Sequence, residues 1–175
     1  ELCPEFQGPD PSGNTGFHVM IRQGYVSSTD YITPKMREFV DYQENEQLYT
    51  ALHDAVLMES VEGTSFLIRL EANKDLQDRR GNTPLHYAAE LKDNKIAELL
   101  ITGGANLNLL NQEGKTVLNI ALEMNNEKIV LLLLKHRGKI AEEAQGITPI
   151  MLAAKVKNCT MLQALIKHAE GKISE

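Results

Sequence analysis

The stretch DRRGNTPLHYAA at residues 78–89 decides the fold. Thr83 is a favoured helix N-cap, because its hydroxyl can accept a hydrogen bond from an unpaired N–H of the first turn. Pro84 suits the first helical position, where a missing N–H costs nothing. Gly81 tolerates a positive φ, which favours a turn just before the cap. The stretch therefore predicts a turn followed by a helix, and small residues such as Ala88 let a second helix approach closely.

The same pattern recurs along the chain at a nearly fixed interval. TALHDA at 50–55, TPLHYA at 83–88, TVLNIA at 116–121 and TPIMLAA at 148–154 begin at successive steps of 33, 33 and 32 residues. Self-similarity at such a period indicates a repeat protein. The Thr-Pro-Leu-His-x-Ala signature and its period resemble the ankyrin-repeat family over about residues 45–169.

The resemblance implies an all-α ankyrin-repeat solenoid of helix-turn-helix units joined by short hairpin loops. We predict four repeats, at 45–77, 78–110, 111–143 and 144–169, followed by a tail at 170–175. The predicted helices, two per repeat, are 50–58 and 62–70, 83–91 and 95–102, 116–124 and 127–135, and 148–156 and 160–168. Gly104 stands where a left-handed helix C-cap is expected, and Glu71 and Arg137 replace glycine in neighbouring units.

Residues 1–44 are predicted to form an irregular N-terminal arm and a capping helix. Residues 1–33 are rich in Pro and Gly and show no persistent helical or strand period. We expect this arm to pack on the first repeat or on an upstream domain of the same chain. Thr33-Pro34 predicts a helix at about 34–43, with Met36 and Phe39 on its apolar face. Because a solenoid end needs a cover, this helix is the predicted cap of repeat one.

Composition excludes several functional classes. The 175 residues carry a net charge of −6, which argues against nonspecific nucleic-acid binding. Cys3 and Cys159 match no disulfide framework and no metal-ligand spacing. The longest apolar run, Ile129 to Leu134, is too short for a membrane-spanning helix. We therefore expect no metal, no cofactor, no nucleic acid and no membrane, and a cytoplasmic location with the nucleus as the alternative.

Two histidines occupy one repeat position. No nucleophile recurs beside His53 and His86, and phosphate-loop and metalloprotease motifs are missing from the sequence. We therefore predict that the chain is not an enzyme. The family resemblance implies that these histidines bond neighbouring backbone and tie adjacent repeats. Asn119 and Met151 replace them in repeats three and four, which predicts weaker ties toward the C-terminus.

The resemblance also implies a partner-binding groove, made by the hairpin tips and the outward residues of each first helix. The candidate site residues are Met58, Arg79, Arg80, Asn82, Glu90, Leu91, Glu113, Lys115, Glu123, Met124, Lys155 and Val156. Four of them, which we call the apolar strip, share one repeat position: Met58, Leu91, Met124 and Val156. The strip either contacts a partner or packs between adjacent first helices.

The predicted function is that of a protein–protein interaction module that binds a partner protein through its concave groove and hairpin tips. We expect a partner segment with large apolar residues and a Lys or Arg that faces Glu90 or Glu123. One alternative is an inhibitor resembling those of NF-κB-type transcription factors. Another is a targeting module of a larger enzyme or pathogen effector whose catalytic domain lies outside this chain.

Overall fold

The computed structural model describes residues 8–25, 34–44, 46–91, 93–136 and 148–170, without the side chains of Lys35 and Met36. These ranges contain helices but no β-strand, as the predicted all-α ankyrin-repeat fold requires. The helices are α1 Gly16–Gln23, α2 Pro34–Arg37, α3 Ala51–Leu57, α4 Val61–Arg69, α5 Pro84–Ala88, α6 Lys95–Thr102, α7 Val117–Glu123, α8 Glu127–Lys135, α9 Pro149–Lys155 and α10 Cys159–Ala169.

The last eight of these helices form the four predicted units. In each unit the first helix packs against the second, and successive first helices pack against one another. Predicted and observed bounds agree within one residue for all of these helices except α5. That helix ends at Ala88 rather than at residue 91, because the N–H groups of Glu90 and Leu91 bond to Tyr87 and Ala88 in a tighter turn.

The N-terminal segment holds a helix that the sequence analysis missed. The prediction of an irregular arm is wrong over Gly16–Gln23, where α1 packs against α3. Thr15 caps this helix, and Phe17 and His18 are fully buried. The run TGFH at 15–18 is a degenerate copy of TPLH, with glycine in place of proline. α1 is therefore the first helix of an additional, divergent unit.

The predicted capping helix is also shorter than expected. α2 ends at Arg37, and a turn follows through residue 41. Phe39 is half-buried against the hydrophobic core and Val40 is buried, so this segment contributes to the cover of repeat one. The side chain of Met36, residues 1–7 and residues 26–33 lie outside the described residues. Most of the contact with α3 from the N-terminal side comes from α1.

The turns that end the second helices share one backbone conformation but not one residue type. Gly104 has φ +84° and Glu71 has φ +62°, so both adopt the left-handed conformation. The N–H of Ala105 bonds to the Leu100 carbonyl at 3.0 Å, and the N–H of Ala72 makes the matching bond at 3.0 Å. Glu71 thus takes a glycine conformation with a Cβ present, which costs about 1–2 kcal/mol. Arg137, the third residue of this kind, lies outside the described ranges.

We expect Glu71→Gly to raise the free energy of unfolding by about 1 kcal/mol, because it removes this backbone penalty. Gly104→Ala should lower it by a similar amount, since nothing lies within 4 Å of the added Cβ and only the backbone cost remains. Urea unfolding followed by circular dichroism measures both changes. Glu71→Ala is the matched control, because it removes the charge but keeps the Cβ. A Glu71→Gly protein no more stable than this control would contradict the explanation.

Candidate partner-binding surface

Buried histidines hold successive units together. Nδ1 of His53 accepts a hydrogen bond from the Thr50 N–H at 3.1 Å, so the ring proton resides on Nε2. Nε2 donates to the Asn82 carbonyl of the next unit at 3.1 Å. We call this hydrogen bond from a buried histidine to a carbonyl of the next unit a histidine tie. The same tie joins His18 to the Tyr49 carbonyl at 3.0 Å and His86 to the Lys115 carbonyl at 3.3 Å. The structural role predicted for His53 and His86 is confirmed, and His18 was missed.

The series of ties stops in the third repeat. Asn119 stands at the histidine position and accepts a hydrogen bond from the Thr116 hydroxyl at 2.9 Å. Its Nδ2 is buried and has no hydrogen-bond partner among the residues that the structure describes. A buried donor without a partner costs about 1–3 kcal/mol. In the fourth repeat the position holds Met151, which makes no such tie because its thioether has no proton to donate.

Burial fixes the charge state of these histidines. It lowers the pKa of His53 to about 4, and the bond that Nε2 donates to the Asn82 carbonyl only partly opposes this shift. Burial also lowers the pKa of His18 and of His86. All three rings are therefore neutral at pH 7, which leaves Nδ1 as the acceptor that the N-cap threonine requires.

The hairpin tips place two predicted site residues in solvent and remove a third from the surface. Arg79 and Arg80 are exposed, and their backbone bonds to neighbouring hairpins at 2.8 and 3.0 Å. Asn82, predicted on the partner surface, is instead 7% exposed. Its Oδ1 accepts a hydrogen bond from the Asn111 Nδ2 at 2.9 Å, and its carbonyl accepts the His53 tie. Asn82 therefore belongs to the interface between units.

Three predicted site residues form one charge cluster. Nζ of Lys115 lies 3.1 Å from a carboxylate oxygen of Glu113 and 3.0 Å from one of Glu123. These carboxylates, Glu123 first, raise the pKa of Lys115. Glu123 therefore already has a cation beside it. Glu90 is exposed, and within the described ranges no Lys or Arg lies within ion-pair distance of it.

The apolar strip divides into two kinds of side chain. Met58 is 50% exposed and Met124 is 54% exposed, each at the C-cap of its helix. Leu91 and Val156 are half-buried, and Leu91 packs against the hydrophobic core. The two alternatives for the strip thus apply to different members: the methionines are available to a partner, while Leu91 contributes to packing between units.

Two shallow depressions lie beside the strip. One, of about 470 Å³, is lined by Glu90, Leu91, Asn94, Met124, Asn125, Asn126, Glu127 and Lys128. The other, of about 310 Å³, is lined by Glu123, Leu152, Lys155 and Val156. The structure therefore brings together neighbouring strip members and their charged neighbours, and Glu123 belongs both to the second depression and to the Lys115 cluster.

The asparagines that line the larger depression were missed from the sequence. Nδ2 of Asn126 donates to the Asn94 side-chain oxygen at 2.8 Å and to the Leu91 carbonyl at 3.3 Å. Nδ2 of Asn158 donates to the Asn125 side-chain oxygen at 3.0 Å. These bonds join the starts of successive second helices and give the depression a polar edge. Their position one to three residues after the strip member in repeats two, three and four is the signal that could have revealed them.

In the parts of the chain that the structure describes, no group of three or more His, Cys, Asp or Glu side chains is placed to hold a metal ion. Across the same ranges, none of the helices combines the length and the apolar content that crossing a lipid bilayer requires.

The fold and the histidine ties define a helical repeat protein, and comparison with known families identifies its class. The family model described as "Ankyrin repeats (3 copies)" matches residues 17–111, 62–144 and 85–174. The chain therefore belongs to the ankyrin-repeat family, whose members are generally protein–protein interaction modules, and the ankyrin-repeat domain is a non-catalytic interaction fold. The first match begins at residue 17, within α1, which agrees with the additional N-terminal unit.

Solved structures show the same fold. The chain is similar to the crystal structure of an ankyrin repeat domain from Acinetobacter baumannii AYE at 1.00 Å resolution, with a TM-score of 0.82. The two sequences are 22% identical, and the alignment covers 97% of this chain and 88% of that chain. At this identity the likeness concerns the fold alone. No curated protein matches the sequence.

The histidine ties predict a loss of stability in mild acid. Because burial depresses the folded-state pKa, the unfolded chain binds more protons below pH about 6.5, so stability is complete above that pH and falls as the pH drops. His53 alone should contribute a loss of about 1.4 kcal/mol per pH unit between about 6.5 and 4. Urea unfolding at a series of pH values from 7 to 5 measures this slope.

His53→Asn is the matched variant, since the chain itself carries asparagine at this position in repeat three. Its free energy of unfolding should depend less steeply on pH than that of the unaltered protein. The difference in slope should approach that of one proton, about 1.4 kcal/mol per pH unit. The comparison is needed because burial also raises the pKa of Asp54, so that protonation of this carboxyl group favours the folded state as the pH falls. This contribution has the opposite sign to that of His53, and the difference between the two proteins isolates the histidine. Equal slopes for the two proteins would show that the His53 ring does not titrate with folding.

Proposed function

We propose that this chain binds a linear segment of a partner protein along the apolar strip, with the hairpin tips as a second contact. The observation that carries the proposal is the pair of half-exposed methionines, Met58 and Met124, at one position of the first and third repeats. A repeat scaffold has no packing need for large apolar side chains in solvent. Methionine is flexible and polarisable, and it adapts to partner side chains of different shape.

The borders of the strip support this role. Glu90, Glu123 and Lys155 surround apolar side chains, and an apolar centre with a polar rim is the composition of protein interfaces. The depressions between neighbouring strip members offer places for partner side chains.

The charge distribution refines the expected partner. Since Lys115 already pairs with Glu123, a basic residue of the partner is expected opposite Glu90. The partner segment then has two or more large apolar residues that contact the strip and a Lys or Arg near the second repeat. The two alternative functions, inhibition of an NF-κB-type factor and targeting of an enzyme or effector, are not favoured by any particular contact of the described residues.

A display library of random linear peptides tests the proposal without knowledge of the natural partner. Peptides selected on the unaltered protein are measured against Met58→Gln/Met124→Gln by fluorescence anisotropy. Glutamine is chosen because it matches methionine in length and adds no negative charge at a helix C-terminus. We expect the dissociation constant to rise at least about tenfold, which corresponds to about 1.4 kcal/mol.

Leu131→Gln is the control, because Leu131 is also an exposed apolar residue but lies on the second helix α8. It should leave peptide binding unchanged. Glu90→Lys should weaken those selected peptides that contain Lys or Arg and spare the others. Leu91 is unsuitable for substitution because it packs against the core. If selected peptides bind the methionine variant and the control equally well, the strip is not the binding site.

A further inference from the structure

A second set of residues runs beside the apolar strip, one position before each strip member. Its members are exposed, and they stand on the first helix of their repeat or directly after it. We call this set the charge column: Leu57, Glu90, Glu123 and Lys155. From repeat one to repeat four the column is therefore apolar, acidic, acidic and basic.

One charge of the column is neutralised from within its own repeat. Nζ of Lys115 donates a hydrogen bond to a carboxylate oxygen of Glu123 at 3.0 Å. The position equivalent to Lys115 holds Asn82 in repeat two and Ile147 in repeat four, and neither residue carries a charge. The side chain of Asn82 is, in addition, engaged between units. The column charges of repeats two and four therefore receive no counter-ion from this position.

Glu90 and Lys155 thus remain as the unpaired charges of the column. Among the described residues, no side chain of opposite charge lies within ion-pair distance of either. Glu90 borders the depression between repeats two and three, where the other charged residues, Glu127 and Lys128, have opposite signs. Lys155 borders the depression between repeats three and four, beside the neutralised Glu123. The surface therefore presents a negative charge at one depression and a positive charge at the next.

We propose that the partner segment carries two charges in a fixed order, a Lys or Arg that pairs with Glu90 and an Asp or Glu that pairs with Lys155. This inference rests on the proposed function, because it concerns the segment that binds along the strip. The order sets the direction of the segment, since the reverse direction would bring like charges together.

The spacing of the two partner charges follows from the repeat geometry. Packed helices lie about 8–10 Å apart, so the two column charges, two units apart, are separated by about 16–20 Å. An extended chain advances about 3.3 Å per residue, which places the basic and the acidic residue of the partner about five or six positions apart.

An exchange of charges on both molecules tests the order. Peptides selected from the random library on the unaltered protein should be enriched in a basic and an acidic residue at this spacing. Their dissociation constants are then measured by fluorescence anisotropy on Glu90→Lys/Lys155→Glu, which keeps the net charge of the protein. We expect a rise of about tenfold, because two attractions become two repulsions, and a smaller rise at high salt. Peptides with their own basic and acidic residues exchanged should regain the affinity, which also shows that the variant is folded.

Glu38→Lys/Lys135→Glu is the matched control. Glu38 is exposed in the turn after α2 and Lys135 is exposed in the last turn of α8, as Glu90 follows α5 and Lys155 lies in the last turn of α9. Neither control residue lines the two depressions beside the strip. The control should bind the selected peptides like the unaltered protein.

Three results would overturn the charge order: selected peptides without the charged pair, equal binding to the charge-exchanged variant and the control, or exchanged peptides that do not regain affinity. Each of them is distinct from a failure of the proposed function. In that case the methionine variant Met58→Gln/Met124→Gln would bind the selected peptides as tightly as Leu131→Gln does.

Discussion

One hydrogen bond, donated by Nε2 of a buried histidine to a backbone carbonyl in the next unit, joins α1 and the first two repeats to their successors. It depends on a neutral ring, because Nδ1 must accept from the N-cap threonine while Nε2 donates. In these three units the bond fixes both the start of the first helix and its distance from the following hairpin. The exposed positions of the units that it joins are aligned as a consequence.

The same constraint distinguishes the first three units of the described chain from the last two. Where histidine is present, the side chain is buried between units and its partner carbonyl is satisfied. In the third repeat Asn119 leaves a buried donor without a partner among the described residues, and in the fourth Met151 lies in solvent. The histidine ties between units therefore end before the fourth repeat.

Much of the fold could be predicted because its determinants are local. Thr83 with Pro84 specifies a helix start, and the period of the pattern specifies how units stack. α1 escaped detection because Gly16 replaces the signature proline and the step to Thr50 is 35 residues. The site was harder to predict because its contacts are not local. Asn82 is buried by Asn111 of the next hairpin, and Lys115 reaches Glu123, eight residues away, across the turn into α7.

Native-state hydrogen exchange measures the central claim, that histidine ties make cohesion strongest in the N-terminal and middle units. Amides of α5 and α6, whose unit is tied on both sides, should exchange more slowly than those of α9 and α10, whose unit lacks the tie. Slower exchange in α9 and α10 than in α5 and α6 would contradict the claim.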